Sequence, residues 1–240
     1  MREFSVTAHP ATEAGIAACA EKLKQGGLVA LPTETVYGLA GDATNADAIA
    51  AIYATKARPQ FNPLICHIAD MDSARELGQF NDMAEKLAAA FWPGPLTLVV
   101  PRQKDCAIDP LASAGLDTIA LRIPAHAVTQ KLLRAVGLPL VAPSANPSGR
   151  LSPSSVAHVA AMLPDSGCLM AAIAPLVSNP ALSAVLMRRR FGCAPVVWRA
   201  KILKPASVVP LANRRKKKTR RPVWPRGDWC AITPRKARCA

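Results

Sequence analysis

Gly27-Leu28-Val29-Ala30-Leu31-Pro32-Thr33-Glu34-Thr35-Val36-Tyr37-Gly38 is the stretch on which the fold turns. Leu28 to Leu31 is a short unbroken apolar run, the pattern of a strand buried on both faces of a sheet. Pro32 has no N–H to give to a ladder, so the strand ends there. Thr33, Glu34 and Thr35 then set two hydroxyls and a carboxylate on the loop at the strand's C-terminal end, where open α/β sheets bind ligands. The same residues suit a plain turn, with Thr33 or Thr35 bonded to local backbone. Both readings stay open here.

Upstream, Ala11 to Lys24 carries Ile16, Ala17, Cys19, Ala20 and Leu23 at helical spacing, and Gln25-Gly26-Gly27 supplies the stop. Downstream, Asn45 or Asp47 caps a helix with Ala48, Ile49, Ile52 and Tyr53 on one face. It ends at Lys56-Ala57-Arg58-Pro59, since Pro59 biases Arg58 away from helix. Lys56 and Arg58 can then point at one anion, or be two solvated surface charges. Asn62 to Ile68 reads as a turn entering a buried strand, with His67 either a core histidine or a ligand. Met71 to Gln79 and Met83 to Phe91 read as helices, Trp92-Pro93-Gly94-Pro95 as a rigid break, and Leu96 to Val100 as a strand. Lys104 to Ala114 reads as loop. Asp117 to Pro124 is a strand carrying Arg122 near its end, where a buried charge needs a partner or a ligand. A helix at Ala127 to Val136 closes at Gly137, and Leu138 to Ala142 is a strand leading to Pro143-Ser144-Ala145-Asn146-Pro147-Ser148-Gly149. Ser152 to Met162 is the next helix, with Ser152 or Ser154 as its cap.

Strands alternating with helices over 1–164 predict an α/β sheet whose strand ends carry polar loops. Three such loops stand out, at Thr33 to Thr35, Thr118 to Arg122 and Ser144 to Asn146. There is no P-loop, no Gly-x-Gly-x-x-Gly and no His/Asp/Glu metal cluster in the pattern, so anion binding rests on side-chain cations and hydroxyls. The seven cysteines include no Cys-x-x-Cys pair, which argues for free thiols rather than a zinc or redox motif. No apolar run approaches the ~20 residues of a membrane span and no signal peptide is visible, so a cytoplasmic protein away from membranes is expected. The net charge of +14 is unevenly placed: residues 1–164 hold 13 Lys+Arg against 14 Asp+Glu, and residues 165–240 hold 17 against 2. The basic excess therefore belongs to the last third alone.

Five of these segments occur together and in order: Pro32-Thr-Glu-Thr-Val-Tyr-Gly-Leu39, the Lys-x-Arg turn at 56–58, Asn62-Pro63-Leu64, Phe91-Trp-Pro-Gly-Pro-Leu-Thr97, and Pro143-Ser-Ala-Asn-x-Ser-Gly149. Between about Gly26 and Met162 the chain resembles the threonylcarbamoyl-AMP synthases, the YrdC-type domain. The resemblance implies a twisted, open, mixed α/β sheet with flanking helices and a basic concave cavity. It implies the conversion of L-threonine, bicarbonate and ATP, with Mg2+, to threonylcarbamoyl-AMP and pyrophosphate, for modification of tRNA at adenosine 37. Expected partners are tRNA or double-stranded RNA and tRNA-modifying proteins. By position, Thr35, His67 and Arg122 resemble the threonine site, with Arg122 on the carboxylate. Lys56, Arg58, Asn62, Thr118, Ser144, Asn146 and Ser152 resemble the ATP site, with Lys56 and Arg58 the catalytic cations on the phosphates. No protein metal ligand is implied. Ala57 departs from the family, which often has Gly there. An RNA-binding module of the same fold, without turnover, is the competing expectation.

The resemblance stops near Asp165. The family continues with Asp-Gly-Gly, Gly-x-Glu-Ser-Thr and Leu-Arg-Pro-Gly segments that this chain lacks. Shifting the codon frame recovers them: the last base of each codon joined to the next two lets Leu176 to Pro180 read Gly-Val-Glu-Ser. The same shift lets Gly192 to Ile202 begin Leu-Arg-Pro-Gly, gives Asp-Gly-Gly from Leu169 to Ala172, and turns the basic 215–219 run acidic. The chain is thus expected to comprise a core at 1–164 and an irregular, out-of-frame basic tail at 165–240, with a genuine RNA-binding tail as the alternative.

Overall fold

The computed structural model describes residues 7–163 together with two further strands, Cys168–Ala171 and Ala184–Leu186. In chain order the elements are β1 (Thr7–Pro10), α1 (Glu13–Lys24), β2 (Val29–Leu31), β3 (Gly38–Asp42), α2 (Ala46–Thr55), β4 (Ile65–His67), α3 (Met71–Leu77) and α4 (Asp82–Phe91). There follow β5 (Thr97–Pro101), a 3-10 turn (Pro110–Ser113), β6 (Thr118–Arg122), α5 (Ala127–Val136), β7 (Leu140–Val141), α6 (Val156–Met162), β8 (Cys168–Ala171) and β9 (Ala184–Leu186).

The helices start where side-chain oxygens meet their free N–H groups. Thr12, Asn45, Asp70 and Asn81 cap α1 to α4 in this way. The cap of α6 is Ser155 rather than the expected Ser152 or Ser154. Tyr37 donates its N–H to the Pro153 carbonyl at 2.9 Å, so the chain runs irregularly through 151–154 before the helix can begin.

The strands form one mixed open sheet in the order β1-β8-β2-β3-β7-β4-β6-β5-β9. β3, which sequence pattern did not announce, is antiparallel to both β2 and β7 and fully buried. The parallel pair β4 and β6 matches Ile65 with Ala120, Cys66 with Leu121, and His67 with Arg122. Two strands fall within the segment expected to be irregular: β8 pairs in parallel with β1 and β2, and β9 with β5. A ladder is made by main-chain groups, so an apolar run can supply strands whatever its side chains were selected for. The rest of the expected 165–240 tail lies outside the described residues.

The core explains where a ligand can go. One face of the sheet is packed by Ile49, Ile52, Leu64, Leu98, Leu121 and their neighbours. On the other, Ile16, Leu23, Leu132 and Leu133 of α1 and α5 cover Val29, Leu31, Ala40 and Leu140 of β2, β3 and β7. Their cover extends no further into β4, β6 and β5, none of whose residues joins that second cluster.

Candidate functional site

On β6 the inward residues Ile119 and Leu121 belong to the core, so alternation turns Thr118, Ala120 and Arg122 to the opposite face. On β4 the core residue is Cys66, and Ile65 and His67 turn the same way as Arg122. This face bears the candidate site. Thr118 and Arg122 lie at its two ends, roughly 13 Å apart at the usual strand rise.

At the Arg122 end the guanidinium is buried, 7 % exposed, and well supported. Its Nε donates to the Gly94 carbonyl at 3.2 Å, and Nη2 donates to Glu34 Oε1 at 2.8 Å and reaches Thr35 Oγ1 at 3.5 Å. The Trp92-Pro93-Gly94-Pro95 break thus serves to present a carbonyl to Arg122. Thr33 is occupied by its own turn: its hydroxyl donates to the Val36 carbonyl and accepts from the N–H groups of Thr35 and Val36. The turn reading is correct for Thr33, and the Thr35 hydroxyl joins that turn at 2.9 Å from Thr33 Oγ1 while also lying 3.5 Å from Arg122 Nη2. His67, 2 % exposed, stands beside Arg122 in register. Burial and then the Arg122 charge push its pKa down to about 3, so the ring is neutral at ordinary pH. Among the buried polar atoms without a partner are Glu34 Oε2 and His67 Nδ1 at this end and Asn146 Oδ1 at the other.

The other end is built by the close of α2. Arg58 N–H bonds the Tyr53 carbonyl at 3.0 Å and Ala57 N–H the Ala54 carbonyl at 3.1 Å, a Schellman ending with Ala57 at φ +46°. Lys56, 1 % exposed, turns its Nζ onto the carbonyls of Ser144 and Asn146, and its own carbonyl accepts from the Ser148 N–H at 2.8 Å. The 144–148 loop is therefore wrapped around one lysine. Burial, then the Arg58 charge, lower the Lys56 pKa to about 8. Arg58 is only partly buried and donates to the carbonyls of Asn62 (3.2 Å) and Pro63 (3.0 Å), which orients it across the turn.

Lys56 Nζ is thus held by the carbonyls of Ser144 and Asn146, and the half-buried Arg58 by those of Asn62 and Pro63. Ser144 bridges Gly38, and the Ala142 N–H bonds the Ile65 carbonyl at 3.0 Å. Ser144, Pro63 and Thr118 each lie two residues beyond the matched set Ala142, Ile65 and Ala120, so they share this end. Asn146 donates its amide to the carbonyls of Pro147 and Arg150, both at 2.9 Å, and Ser152 is exposed. Sequence reasoning placed Glu34 on the right loop but not in the site; an unpaired buried arginine and a nearby carboxylate were the signal that could have joined them. A groove of about 450 Å3 lined by Arg75, Glu76, Gln79, Gln103, Lys104 and Asp105 contains none of these residues. Among the described residues no group of three or more His, Cys, Asp or Glu is placed to hold a metal, and no helix is long and apolar enough to cross a membrane.

The chain is similar to known proteins in sequence and in fold. The sequence profile of the Sua5/YciO/YrdC family, described as "Telomere recombination", matches residues 21–175. The chain is 49 % identical over 146 residues to a threonylcarbamoyl-AMP synthase of Bacillus subtilis, covering 60 % of this chain and 42 % of that protein. It is 43 % identical over 145 residues to that of Halorhodospira halophila, covering 58 % of this chain and 73 % of the relative. The crystal structure of P. abyssi Sua5 complexed with L-threonine superposes with a TM-score of 0.67 at 40 % identity, over 70 % of this chain and 50 % of that one. The match thus spans less than half the length of the Bacillus relative.

Proposed function

The chain belongs to the Sua5/YciO/YrdC family, and on that footing we propose that it is an L-threonylcarbamoyladenylate synthase acting in tRNA threonylcarbamoyladenosine formation. The observation that carries the reading is the buried Arg122, held beside neutral His67 on the same sheet face, in a chain similar to a Sua5 solved with L-threonine. The reaction joins L-threonine, bicarbonate and ATP, releasing pyrophosphate and water. The threonine nitrogen becomes a carbamate, and a carbamate oxygen displaces pyrophosphate from the α-phosphate.

In this reading Arg122 takes the threonine carboxylate through its fork of N–H donors, and Thr35 and His67 complete that end. The length of the face between Arg122 and Thr118 suits an extended amino-acyl adenylate. Arg58, Asn62, Thr118, Ser144, Asn146 and Ser152 border the nucleotide. Arg58 meets the phosphates, and Lys56 has a third N–H beyond the two on carbonyls to offer a phosphate oxygen. Every substrate is anionic, so these cations offset repulsion as charge gathers at the transferred group. Magnesium would come with ATP on the nucleotide's own phosphate oxygens, since among the described residues no cluster is placed to hold it. The product would pass to tRNA-modifying partners in the cytoplasm.

The segment at 165–240 bears on activity. We read it as out of frame, so the family's last ligands are absent from this chain. The test is pyrophosphate release from ATP that requires both L-threonine and bicarbonate, run on the chain as it stands and on the frame-restored chain. Restored activity in the second, with little in the first, is the expected result. Equal turnover would make the basic tail a genuine element, and RNA binding without turnover in either would favour the module without catalysis.

A further inference from the structure

Glu34 is a carboxylate that the pairing with Arg122 leaves half used. Oε1 accepts from Arg122 Nη2 at 2.8 Å, while Oε2 is buried with no partner, on a side chain only 16 % exposed. A desolvated carboxylate oxygen without a donor is costly, and such an atom in a native site calls for a ligand that brings one. The groups around it narrow the choice of donor. Arg122 beside it is cationic and suits a carboxylate; Thr35 Oγ1 lies within 3.5 Å of the same Nη2; His67, next in register, is neutral and adds no second cation to repel one. A carboxylate and a guanidinium fixed side by side are the complement of a molecule carrying both charges on one carbon.

We propose that Glu34 receives the α-ammonium group of the amino acid through Oε2, so that the Glu34–Arg122 pair reads both charges of an α-amino acid zwitterion. This rests on the threonine site proposed above. It gives that site a specificity the cations alone lack: Arg122 would hold any carboxylate, including a hydroxy acid, whereas Glu34 selects the nitrogen that the reaction must carbamoylate. Glu34 also keeps that nitrogen near Arg122, which fixes which end of the amino acid points down the face toward Thr118.

Calorimetric titration of the full chain with L-threonine and with 2,3-dihydroxybutanoate, its hydroxy-acid analogue, tests the proposal. Wild type binds threonine at least tenfold more tightly than the analogue. In Glu34→Gln, which keeps an oxygen for Arg122 but loses the charge, threonine affinity falls at least tenfold while the analogue's affinity holds or rises. Equal affinity of the wild type for both compounds overturns the proposal, whatever any variant does. So does an equal loss for both compounds in Glu34→Gln, which marks a purely structural role. Tighter threonine binding in the variant overturns it too, making Glu34 a stand-in for the substrate carboxylate. A wild type that binds neither compound overturns the threonine-site reading along with it, whereas threonine binding that ignores Glu34→Gln removes this inference alone.

Discussion

At one end of the sheet face that bears the candidate site Arg122 is buried and matched, with Nη2 on Glu34 and Nε on the Gly94 carbonyl. At the other, Lys56 and Arg58 meet only backbone carbonyls, of Ser144 and Asn146 and of Asn62 and Pro63. The ion pairs among the described residues are Arg75 with Asp72 and Glu85, and Arg122 with Glu34, so neither cation of the second end has a carboxylate partner there. The difference agrees with the two ligands proposed above. A zwitterion brings no net charge, and its end is already neutral; a triphosphate brings several negative charges, and its end is left positive.

Breaking the matched end should have the largest effect. Arg122→Ala leaves the largely buried Glu34 carboxylate unpaired, and removing one member of a buried pair costs about 3–5 kcal/mol. Urea unfolding should show a loss of that order, and Arg122→Ala combined with Glu34→Gln should lose less, since the orphaned charge is gone. Equal losses in the single and double variants would mean that the pair is not what stabilises this end.

Lys56 comes next. Lys56→Met keeps the bulk but removes two charge-assisted bonds to carbonyls, so a stability loss of about 2–3 kcal/mol and a looser 144–148 loop are expected. Its pH dependence sharpens the comparison. The folded pKa of about 8 lies below the ordinary 10.5, so between these values the unfolded chain binds more protons than the folded one. Wild-type stability should therefore gain on Lys56→Met as pH rises from about 8 toward 10.5. A difference that stays flat or falls across that window would show that the carbonyls hold the lysine charged despite burial.

Arg58→Ala is the counterpart with little structural cost. The side chain is partly exposed and oriented by two carbonyls, so stability should shift by no more than about 0.5 kcal/mol. ATP affinity should fall by about 1.5–3 kcal/mol, roughly 10- to 150-fold, as one charge-assisted phosphate contact is lost. Threonine affinity should hold. Weaker threonine binding with ATP binding intact would reverse the assignment of the two ends.

Much of this was legible because the signals were local. The helices announced themselves by spacing and caps, and the strands carrying Arg122 and His67 by apolar runs. β3 did not, because Gly-Leu-Ala-Gly-Asp has none of the β-branched residues that mark a strand. It is a strand because β2 and β7 pair with it on both sides, and at Gly41 a Cβ would sit tightly, 3.1 Å from the Ile52 and Leu28 side chains. Such causes are tertiary, and no window of sequence contains them. The same holds within the site. That Arg122 needed a partner was readable from its strand; that the partner is Glu34, 88 residues earlier, depends on how the loop after β2 folds. The spacing of Lys56 and Arg58 left open one shared anion or two solvated charges, and gives no sign of the two carbonyls that hold Lys56.

Ala57 carries the smallest prediction, and it touches the charged end without altering any charge. The residue closes α2 at φ +46°, in the left-handed region, and its neighbours make both bonds of a Schellman motif around it. An L side chain there costs roughly 1–2 kcal/mol, which is why glycine is the usual occupant. Glycine removes that strain but has more freedom to lose on folding, about 0.5–1 kcal/mol relative to alanine. Ala57→Gly should therefore stabilise the protein by a net of about 0.5–1 kcal/mol, read as a higher urea midpoint with unchanged slope. Because the same turn sets the directions of Lys56 and Arg58, ATP affinity tells whether the strain matters to the site. Unchanged affinity means that the Schellman bonds alone fix the two cations, and altered affinity means that Ala57 holds them in a geometry that glycine relaxes. A loss of stability would show that the turn is not strained at Ala57 and that its left-handed conformation is maintained without cost.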